Sequence, residues 1–163
     1  MLVLRSPTLE DKSALQDAYL MSCSFHEPWT FAPEDWDAYI AHEGRYLVVE
    51  RESGVLVGTF NISGIIRGWF QSAYLGYEVF APFQGQGCMS KAFPLLLNEA
   101  FGNLNLHRLE ANIQPDNKAS IRLVEKQGFV KEGFSRQYLR IGGGEWKDHE
   151  RWALLNPHWS EVK

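Results

Sequence analysis

The sequence contains little cysteine, and its two cysteines exclude several kinds of site. Cys23 and Cys88 form no CxxC pair and have no histidine pair near them in the sequence. We therefore expect neither a disulfide framework nor a zinc site, predict no metal ion, and expect a reducing cytoplasm. No apolar run approaches the roughly 18 residues that a membrane-spanning helix needs. The first residues, MLVLRSPTLEDK, also lack the segments of an export signal, so no membrane partner is expected.

Charge of either sign is modest as well. The 163 residues carry a formal net charge of −4, with 22% charged and 45% hydrophobic residues, which is typical of a globular protein and excludes a disordered chain. Mild acidity argues against direct nucleic-acid binding and is compatible with a basic partner. The length fits one substantial core, and no repeat or linker is visible, so we predict a single domain over residues 1–163.

Apolar runs and turn-forming residues predict the strands. One strand covers residues 2–5, and two more flank the turn Glu52-Ser53-Gly54 as a hairpin. Further strands are predicted at residues 73–80 and 107–113 and on both sides of Gly142-Gly143-Gly144.

Four helices are predicted between these strands. The first helix follows a capping box of Thr8 and Asp11, and the second covers residues 33–40 with Pro33 in its first turn. The third runs from about residue 87 to 101, and the fourth covers residues 117–127 with Gly128 as a left-handed cap. Pro94 should bend the third helix without breaking it. The order predicts an α/β fold, with a mixed sheet and helices on both faces.

Two glycines lie between the predicted strand and the third helix, in EVFAPFQGQGCMSKAF. Gly85 and Gly87 let a ligand approach the main chain closely, and the helix that follows offers free N–H groups and a positive dipole end. That combination binds phosphate groups. The run matches neither GxxxxGK[ST] nor GxGxxG, so a pyrophosphate held by backbone alone and an ordinary strand-to-helix turn both remain open.

Further along, QPDNKASIRLVEKQGF follows the next strand. Together the two segments resemble the GNAT superfamily of acyl-CoA-dependent N-acetyltransferases, where a Gln/Arg-x-x-Gly-x-Gly/Ala loop holds the coenzyme A pyrophosphate. Gln84 and Gly87 match, and Met89 departs from the pattern in a way typical of the RimJ/RimL-type ribosomal-protein-alanine N-acetyltransferases. The chain resembles the RimJ side of that branch through PWTF, IIRGWF, YLGYEVF, QGQGCM, HRLEAN, DNKAS, GFVKEGF and YLRIGGGEWKDH.

The resemblance implies the GNAT fold, a mostly antiparallel sheet whose strands splay beside acetyl-CoA. It implies that main-chain groups of Glu78, Val79 and Phe80 contact the carrier, and that one of their N–H groups faces the thioester oxygen. It further implies a cofactor-binding set that comprises a pyrophosphate cradle and the next helix start: Gln84, Gly85, Gln86, Gly87, Cys88, Met89, Asn117 and Ser120.

Ser120 is the predicted donor to the thiolate that leaves when an amine attacks the thioester. A thiol has a pKa near ~8.5, so one hydroxyl donor eases its departure. The alternative is structural, because Asn117 suits an N-cap and Ser120 is then the third helical residue. Cys88 could be a nucleophile at a helix start, but no partner is visible, and a packed thiol is favoured.

The two kinds of acceptor amine, a protein N-terminus and a lysine side chain, differ in pKa. Neutralising a protein N-terminal amine at pH 7 costs about 1 kcal/mol, whereas a lysine costs about 4–5 kcal/mol. A weak base therefore suffices for an α-amine. Glu78 is the carboxylate candidate for that base, a solvated strand carboxylate is the alternative, and Asn61 and Tyr138 are further candidates on the acceptor side. No histidine is predicted to act, since the five are scattered: His26, His42, His107, His149 and His158.

The predicted acceptor side is rich in aromatic residues. Trp29 and Arg67, with Asn61 and Tyr138, form the predicted substrate-binding set. We expect at least half of five aromatic residues to be core: Trp29, Trp36, Trp69, Phe70 and Trp146. The implied function is acetyl transfer to a protein N-terminal α-amine, on a ribosomal protein, by a monomer or homodimer. A small amine or antibiotic acceptor and a non-catalytic acyl-CoA-binding module are the alternatives.

Overall fold

Seven strands form one mixed sheet in the computed structural model, which describes residues 1–142 and 144–161. The predicted strands are confirmed to within a few residues, and Gly143 of the predicted last turn lies outside the described residues. The strands are β1 Leu2–Arg5, β2 Arg45–Glu50, β3 Leu56–Ile66, β4 Ser72–Val79, β5 Arg108–Ile113, β6 Val130–Arg140 and β7 Trp146–Leu155. Their order across the sheet is β1-β2-β3-β4-β5-β7-β6.

The only parallel neighbours among the described strands are β4 and β5, and their pairing is short. It comprises Ser72 with Arg108, Ala73 with Leu109 and Tyr74 with Glu110. On its other edge β4 stays paired with β3 as far as Val79. From residue 75 onward β4 therefore has an edge without a strand partner, and an opening forms between β4 and β5.

Helices cover both faces of the sheet, as predicted. They are α1 Lys12–His26, α2 Trp36–Ala41, α3 Cys88–Leu97 and α4 Lys118–Lys126. Alternate residues of β2 separate the two faces, because successive strand side chains point to opposite sides. Leu47 and Val49 pack with α1 and α2, whereas Val48 belongs to the larger core that contains Phe93 of α3 and Val124 of α4.

The start of α1 has the predicted capping box. A short 3₁₀ turn, Leu9–Asp11, precedes the helix, and the Thr8 amide donates to the Asp11 carboxylate at 2.7 Å. The Arg5 guanidinium donates to both oxygens of that carboxylate at 2.7 and 2.8 Å and holds the pKa of Asp11 below its ordinary value. These contacts fix the junction between β1 and α1.

The predicted start of α2 was wrong. Pro33 precedes the helix, which begins at Trp36, because Asp35 is the N-cap. The Asp35 carboxylate accepts from the Ala38 amide at 2.9 Å, and its backbone is extended. The segment from Glu27 to Asp35 is consequently a loop, called the α1–α2 loop below.

Pro94 does not break α3, which continues to Leu97 and then changes to a π-helical turn, Asn98–Asn103. Because proline has no N–H, the Ser90 carbonyl lacks its usual helical donor. The Gln127 side-chain amide supplies one, with Nε2 at 3.3 Å from the Ser90 carbonyl oxygen and 3.3 Å from its hydroxyl. The end of α4 is thereby tied to the first turn of α3.

Within the described residues, none of the helices has the length and apolar composition needed to cross a bilayer.

We expect Gln127→Ala to lower the free energy of unfolding by about 1 kcal/mol, since it removes the donor to the Ser90 carbonyl. Denaturant unfolding measures the change. Gln16→Ala on the exposed side of α1 is the control, and it should shift the midpoint by less. Equal effects of the two substitutions would show that the Ser90 contact does not contribute.

Candidate active site

The opening between β4 and β5 contains two adjoining cavities. The loop cavity, about 430 Å³, reaches the Gly85–Gly87 turn, and the β5 cavity, about 190 Å³, reaches β5 and β7. Six residues line both cavities: Trp29, Thr30, Tyr77, Glu78, Asn117 and Ser120. A ligand in one cavity can therefore meet a ligand in the other at this shared wall.

The glycine turn at the outer end of the loop cavity has the geometry of an anion site. Gly85 and Gly87 have φ of 72° and 74°, and a Cβ added at either would meet open space. Gly87 is also the N-cap of α3, whose first amides have no carbonyl partner within the helix. The turn thus presents main-chain N–H groups and a dipole end to the cavity without a side chain in the way.

The residues that follow the turn explain the departure at Met89. Its side chain is buried in the larger core, so only its main chain is available to a ligand in the loop cavity. Cys88 is half-buried and packs against the same core, which supports a packed thiol rather than a nucleophile. Gln86 lies in the turn, but its side chain donates to the Pro82 carbonyl at 2.7 Å, and the residue does not line the cavity.

Phe80 was predicted to offer main-chain groups to the carrier, and the structure contradicts this. Its amide donates to the Val57 carbonyl and its carbonyl accepts from the Phe83 amide, both at 2.8 Å. The ring is fully buried. Glu78 and Val79 do line the loop cavity, and the Val79 carbonyl accepts from His26 Nε2 at 2.6 Å.

The contacts of Ser120 fit both of its predicted roles, as a donor to the thiolate and as a capped helix residue. The Asn117 side-chain oxygen accepts from the Ser120 amide at 3.3 Å, so the predicted cap exists. The Ser120 hydroxyl lies on the shared wall, 2.7 Å from the Tyr77 hydroxyl. The Tyr77 hydroxyl is also 3.1 Å from the Ser120 carbonyl, and burial raises the pKa of Tyr77, an effect that its hydrogen bond to Ser120 opposes. Tyr77 is therefore protonated, and its one hydrogen can go to the Ser120 carbonyl or to the Ser120 hydroxyl but not to both.

Glu78 is not a freely solvated carboxylate. Its oxygens accept from the Thr30 hydroxyl at 3.2 Å, from the Asn61 side-chain amide at 3.2 Å and from the Thr59 hydroxyl. Asn61 in turn accepts from the Tyr39 hydroxyl at 3.1 Å. Burial, and then the negative charge of Glu78, raise the pKa of Tyr39. The network fixes the carboxylate on the shared wall and joins it to the α1–α2 loop.

Only Trp29 of the predicted substrate-binding set lines the two cavities. Asn61 is buried behind Glu78 and acts through it. Tyr138 packs its ring 6.3 Å from that of His149, while its neighbour Leu139 lines the β5 cavity. Arg67 lies on the β3–β4 hairpin, where it donates to the Leu104 carbonyl at 2.7 Å. The six residues of β4 that precede Glu78 place this hairpin about 20 Å from Glu78. Arg67 therefore anchors a turn at the far end of the sheet.

The expectation that at least half of the five aromatic residues are core was wrong. Trp36 is half-buried against the smaller core, and Trp29 is half-buried in the cavity wall. Trp69 is fully exposed, and Phe70 and Trp146 are exposed as well. Trp69 and Phe70 occupy the turn of a hairpin, where no second layer covers them.

Sequence reasoning missed most of the β5 cavity, including Gly76, Asn112 and His149. Gly76 lies within β4, and a Cβ added there would meet open space. His149 of β7 is 2% exposed. The alternation of β7 was a usable signal, because His149 and Arg151 share a face opposite to the core residue Trp152. Tyr77 gave no such signal, since a tyrosine in a strand is ordinary.

Comparison with known proteins gives a family match over most of the chain. The acetyltransferase (GNAT) domain family matches residues 1–130. The chain is 30% identical to the [ribosomal protein uS5]-alanine N-acetyltransferase of Escherichia coli over 175 aligned residues, covering 98% of this chain and 90% of that protein. It is 28% identical to the spermidine N(1)-acetyltransferase of Vibrio cholerae, covering 83% of this chain and 80% of that protein.

A shorter and more similar match is the probable N-acetyltransferase YjcK of Bacillus subtilis, 44% identical over 102 residues. That match covers 63% of this chain and 56% of YjcK, so the chain aligns with little more than half of that relative.

Two solved structures have the same fold over nearly all of the chain. The ribosomal-protein-S5-alanine acetyltransferase of Vibrio fischeri superposes with a TM-score of 0.85 at 25% identity, covering 98% of this chain and 96% of that one. RimJ of Mycobacterium smegmatis, solved in complex with CoA-disulfide, superposes with a TM-score of 0.81 at 26% identity, covering 94% of this chain and 81% of that one.

Proposed function

Because this chain belongs to the GNAT acetyltransferase family, we propose that it transfers the acetyl group of acetyl-CoA to the N-terminal α-amine of a protein. The observation that carries the proposal is the meeting of the loop cavity and the β5 cavity at Glu78 and Ser120. One cavity suits an extended thioester carrier, and the other suits the end of a chain that arrives from the opposite side. Similarity to ribosomal-protein-alanine acetyltransferases over the full chain supports a ribosomal protein as acceptor, which would be met in the cytoplasm.

The cofactor fits the residues of the loop cavity. Amides of the run from Gln84 to Met89 would hold the diphosphate, and the bare Gly85 and Gly87 leave room for it. The Val79 amide on the β4 edge without a strand partner would hold the pantetheine, because Glu78 alternates with it and pairs toward β3, and the Val79 carbonyl already accepts from His26. When bound, acetyl-CoA supplies the acetyl group as a thioester. The complex of Mycobacterium smegmatis RimJ with CoA-disulfide supports this assignment.

Ser120 would donate its hydroxyl proton to the departing sulfur. Its hydroxyl is on the shared wall, and Tyr77, held protonated by burial, can donate to the same oxygen from behind. The orientation matters, because Ser120 accepts from Tyr77 only when the Tyr77 hydrogen leaves the Ser120 carbonyl, and the Ser120 hydrogen is then free to point at the thiolate. Tyr77 thus acts as a positioning residue for Ser120.

Glu78 would attract the acceptor amine to the thioester. It carries a negative charge at the shared wall, and its three hydrogen bonds keep it there. An α-amine is the acceptor that this arrangement favours, because neutralising it costs about 1 kcal/mol at pH 7 against 4–5 for lysine. That Glu78 itself takes the proton stays a prediction.

The acceptor class is tested by offering the protein acetyl-CoA and a panel of amines. We expect thiol release with ribosomal-protein peptides that begin with Ala or Ser, and a mass gain of one acetyl group at the first residue. Peptides with a blocked N-terminus and an internal lysine are the matched control and should not react. Turnover of spermidine alone would favour a polyamine enzyme, as in the Vibrio cholerae relative. Coenzyme A binding without thiol release from any amine would favour the non-catalytic module.

The two cavities can be separated by a pair of glycine substitutions. Gly87→Asp should weaken coenzyme A binding by a factor of about 10 or more, because it adds a negative charge beside the diphosphate. Gly87→Asn is the matched control, since both residues tolerate φ above zero and only one is charged. Gly76→Val should leave coenzyme A affinity unchanged and abolish acceptor turnover, because its side chain would enter the β5 cavity.

Calorimetry with coenzyme A and steady-state kinetics measure these effects. Equal affinities of Gly87→Asp and Gly87→Asn would place the diphosphate elsewhere. Full turnover by a folded Gly76→Val variant would show that the acceptor does not use the β5 cavity.

Ser120→Ala should lower kcat by about 100-fold, the scale of general acid catalysis, with KM for acetyl-CoA nearly unchanged. The cap survives this change, because Asn117 accepts from the Ser120 backbone amide. Tyr77→Phe should lower kcat less. In the double variant the Tyr77 effect should vanish, since a residue that acts through Ser120 has nothing left to position. Additive losses would contradict that coupling.

A further inference from the structure

The β5 cavity presents hydrogen-bond acceptors and no cation. None of its described lining residues is lysine or arginine. Its acceptor atoms include the Glu78 carboxylate and one ring nitrogen of His149, whereas the Asn112 side-chain oxygen is enclosed and has no donor among the described residues. An ammonium ion has three N–H donors and no acceptor. The cavity is therefore matched to an amine in its protonated form, which is the dominant form of an α-amine at neutral pH.

The tautomer of His149 is fixed by its backbone contact. Nδ1 is 2.8 Å from the Lys147 carbonyl oxygen. A carbonyl can only accept, so Nδ1 carries the hydrogen, and in the neutral ring Nε2 keeps a free lone pair. Nε2 has no hydrogen-bond partner in the part of the chain that is described, and it is not among the enclosed unpaired atoms. The lone pair is thus open to the β5 cavity.

We propose that the β5 cavity captures the acceptor as an ammonium ion and that His149 Nε2 removes its proton before attack. This inference rests on the proposed acetyl transfer and names the proton acceptor for it. His149 is then a catalytic residue, and Glu78 holds the positive charge beside it.

Burial keeps the ring of His149 neutral at neutral pH, so its free lone pair is available there. Burial lowers the pKa of His149 below its ordinary value of 6.5, while the Lys147 carbonyl and the Asp148 carboxylate oppose that shift. Glu78 and Tyr77 face the cavity from β4, and Tyr138 packs on the ring from β6. Lys147 and Arg151 share the face of β7 with His149, but neither lines the β5 cavity from which the amine arrives.

Glu78 is less suited to the same step. Its oxygens already accept from Thr30, Thr59 and Asn61, so their lone pairs are largely occupied. His149 differs from Glu78 in geometry, because one of its ring nitrogens is anchored by the Lys147 carbonyl and the other has no hydrogen-bond partner among the described residues.

The proton count closes with these residues. The bound R–NH₃⁺ loses one proton to Nε2 and becomes R–NH₂. Its nitrogen lone pair forms the bond to the thioester carbon, and the carbon–sulfur bond breaks with its electron pair on sulfur. A second proton of the nitrogen reaches the sulfur through the Ser120 hydroxyl, and the third stays on the amide. The imidazolium releases its proton to solvent, which balances the overall loss of one H⁺.

The first test needs no acceptor. Nitrogen NMR of the ring in the wild-type protein should show His149 protonated at Nδ1 and bare at Nε2 at pH 7, with ionisation below pH 6.5. A ring protonated at Nε2 would overturn the proposal. This readout is independent of the acceptor. If peptides fail as substrates and another amine is acetylated, the proposed α-amine acceptor is wrong while this inference stands, and if no amine is acetylated, both are wrong.

The second test uses His149→Asn, whose amide can still donate to the Lys147 carbonyl but cannot take up a proton. At saturating acceptor, wild-type kcat should stay level from pH 8 to about 6.5 and fall below that. The variant should lose about 100-fold at pH 7, and its kcat should rise with pH as the bound ammonium ion loses its proton. Added imidazole should restore part of the rate in His149→Gly. The assay uses whichever amine the wild type acetylates.

Controls separate a catalytic role from a structural one. His158→Gln, at an exposed histidine outside the cavities, should match the wild type in rate and pH profile. Coenzyme A affinity and melting temperature identify a His149 variant that has misfolded. A folded His149→Asn with the wild-type pH profile, or an acid limb that disappears in Glu78→Gln instead, would assign the proton to another group and overturn the inference.

Discussion

The early separation of β4 from β5 is the constraint on which the rest of the site depends. Three residue pairs join the strands, and beyond Tyr74 the β4 edge has no strand partner. Main-chain groups at an unpaired edge need partners, and a ligand can supply them. The same separation creates the loop cavity and the β5 cavity and brings them together at Glu78 and Ser120. The glycine turn contributes only because β4 delivers it to the outer end of that opening.

Hydrogen-bonded polar groups then fix the positions of the reacting residues. Glu78 is held by donors from β3 and from the α1–α2 loop, and Ser120 is held by the Asn117 cap and by Tyr77. Partly buried polar groups of this kind cost little when each has a partner and several kcal/mol when one is lost. Their arrangement therefore behaves as a unit. A carboxylate, a hydroxyl and a bare imidazole nitrogen can keep their separations while ligands enter and leave.

The sequence predicted those parts of the site that depend on local chemistry. Glycines at positive φ and an asparagine cap are visible in a short run, and both were placed correctly. The parts of the site that depend on the direction of strand groups were harder to predict. Phe80 follows β4 directly, yet its main-chain groups are hydrogen-bonded to Val57 and Phe83. Arg67 lies at the far end of the sheet from the site. His149 looked scattered because its partners come from β4 and β5, far away in the sequence. Only the pairing of β5 with β7 brings them together.

Trp29 and Thr30 belong to the wall of both cavities, and they sit on a loop rather than on the sheet. Thr30 is tied to Glu78 by a single hydroxyl. A carrier that presses on this loop from one side alters the shape offered to the amine on the other. In initial-rate kinetics the apparent Michaelis constant of the acceptor should accordingly depend on the concentration of acetyl-CoA, and the reverse, as expected for a ternary complex.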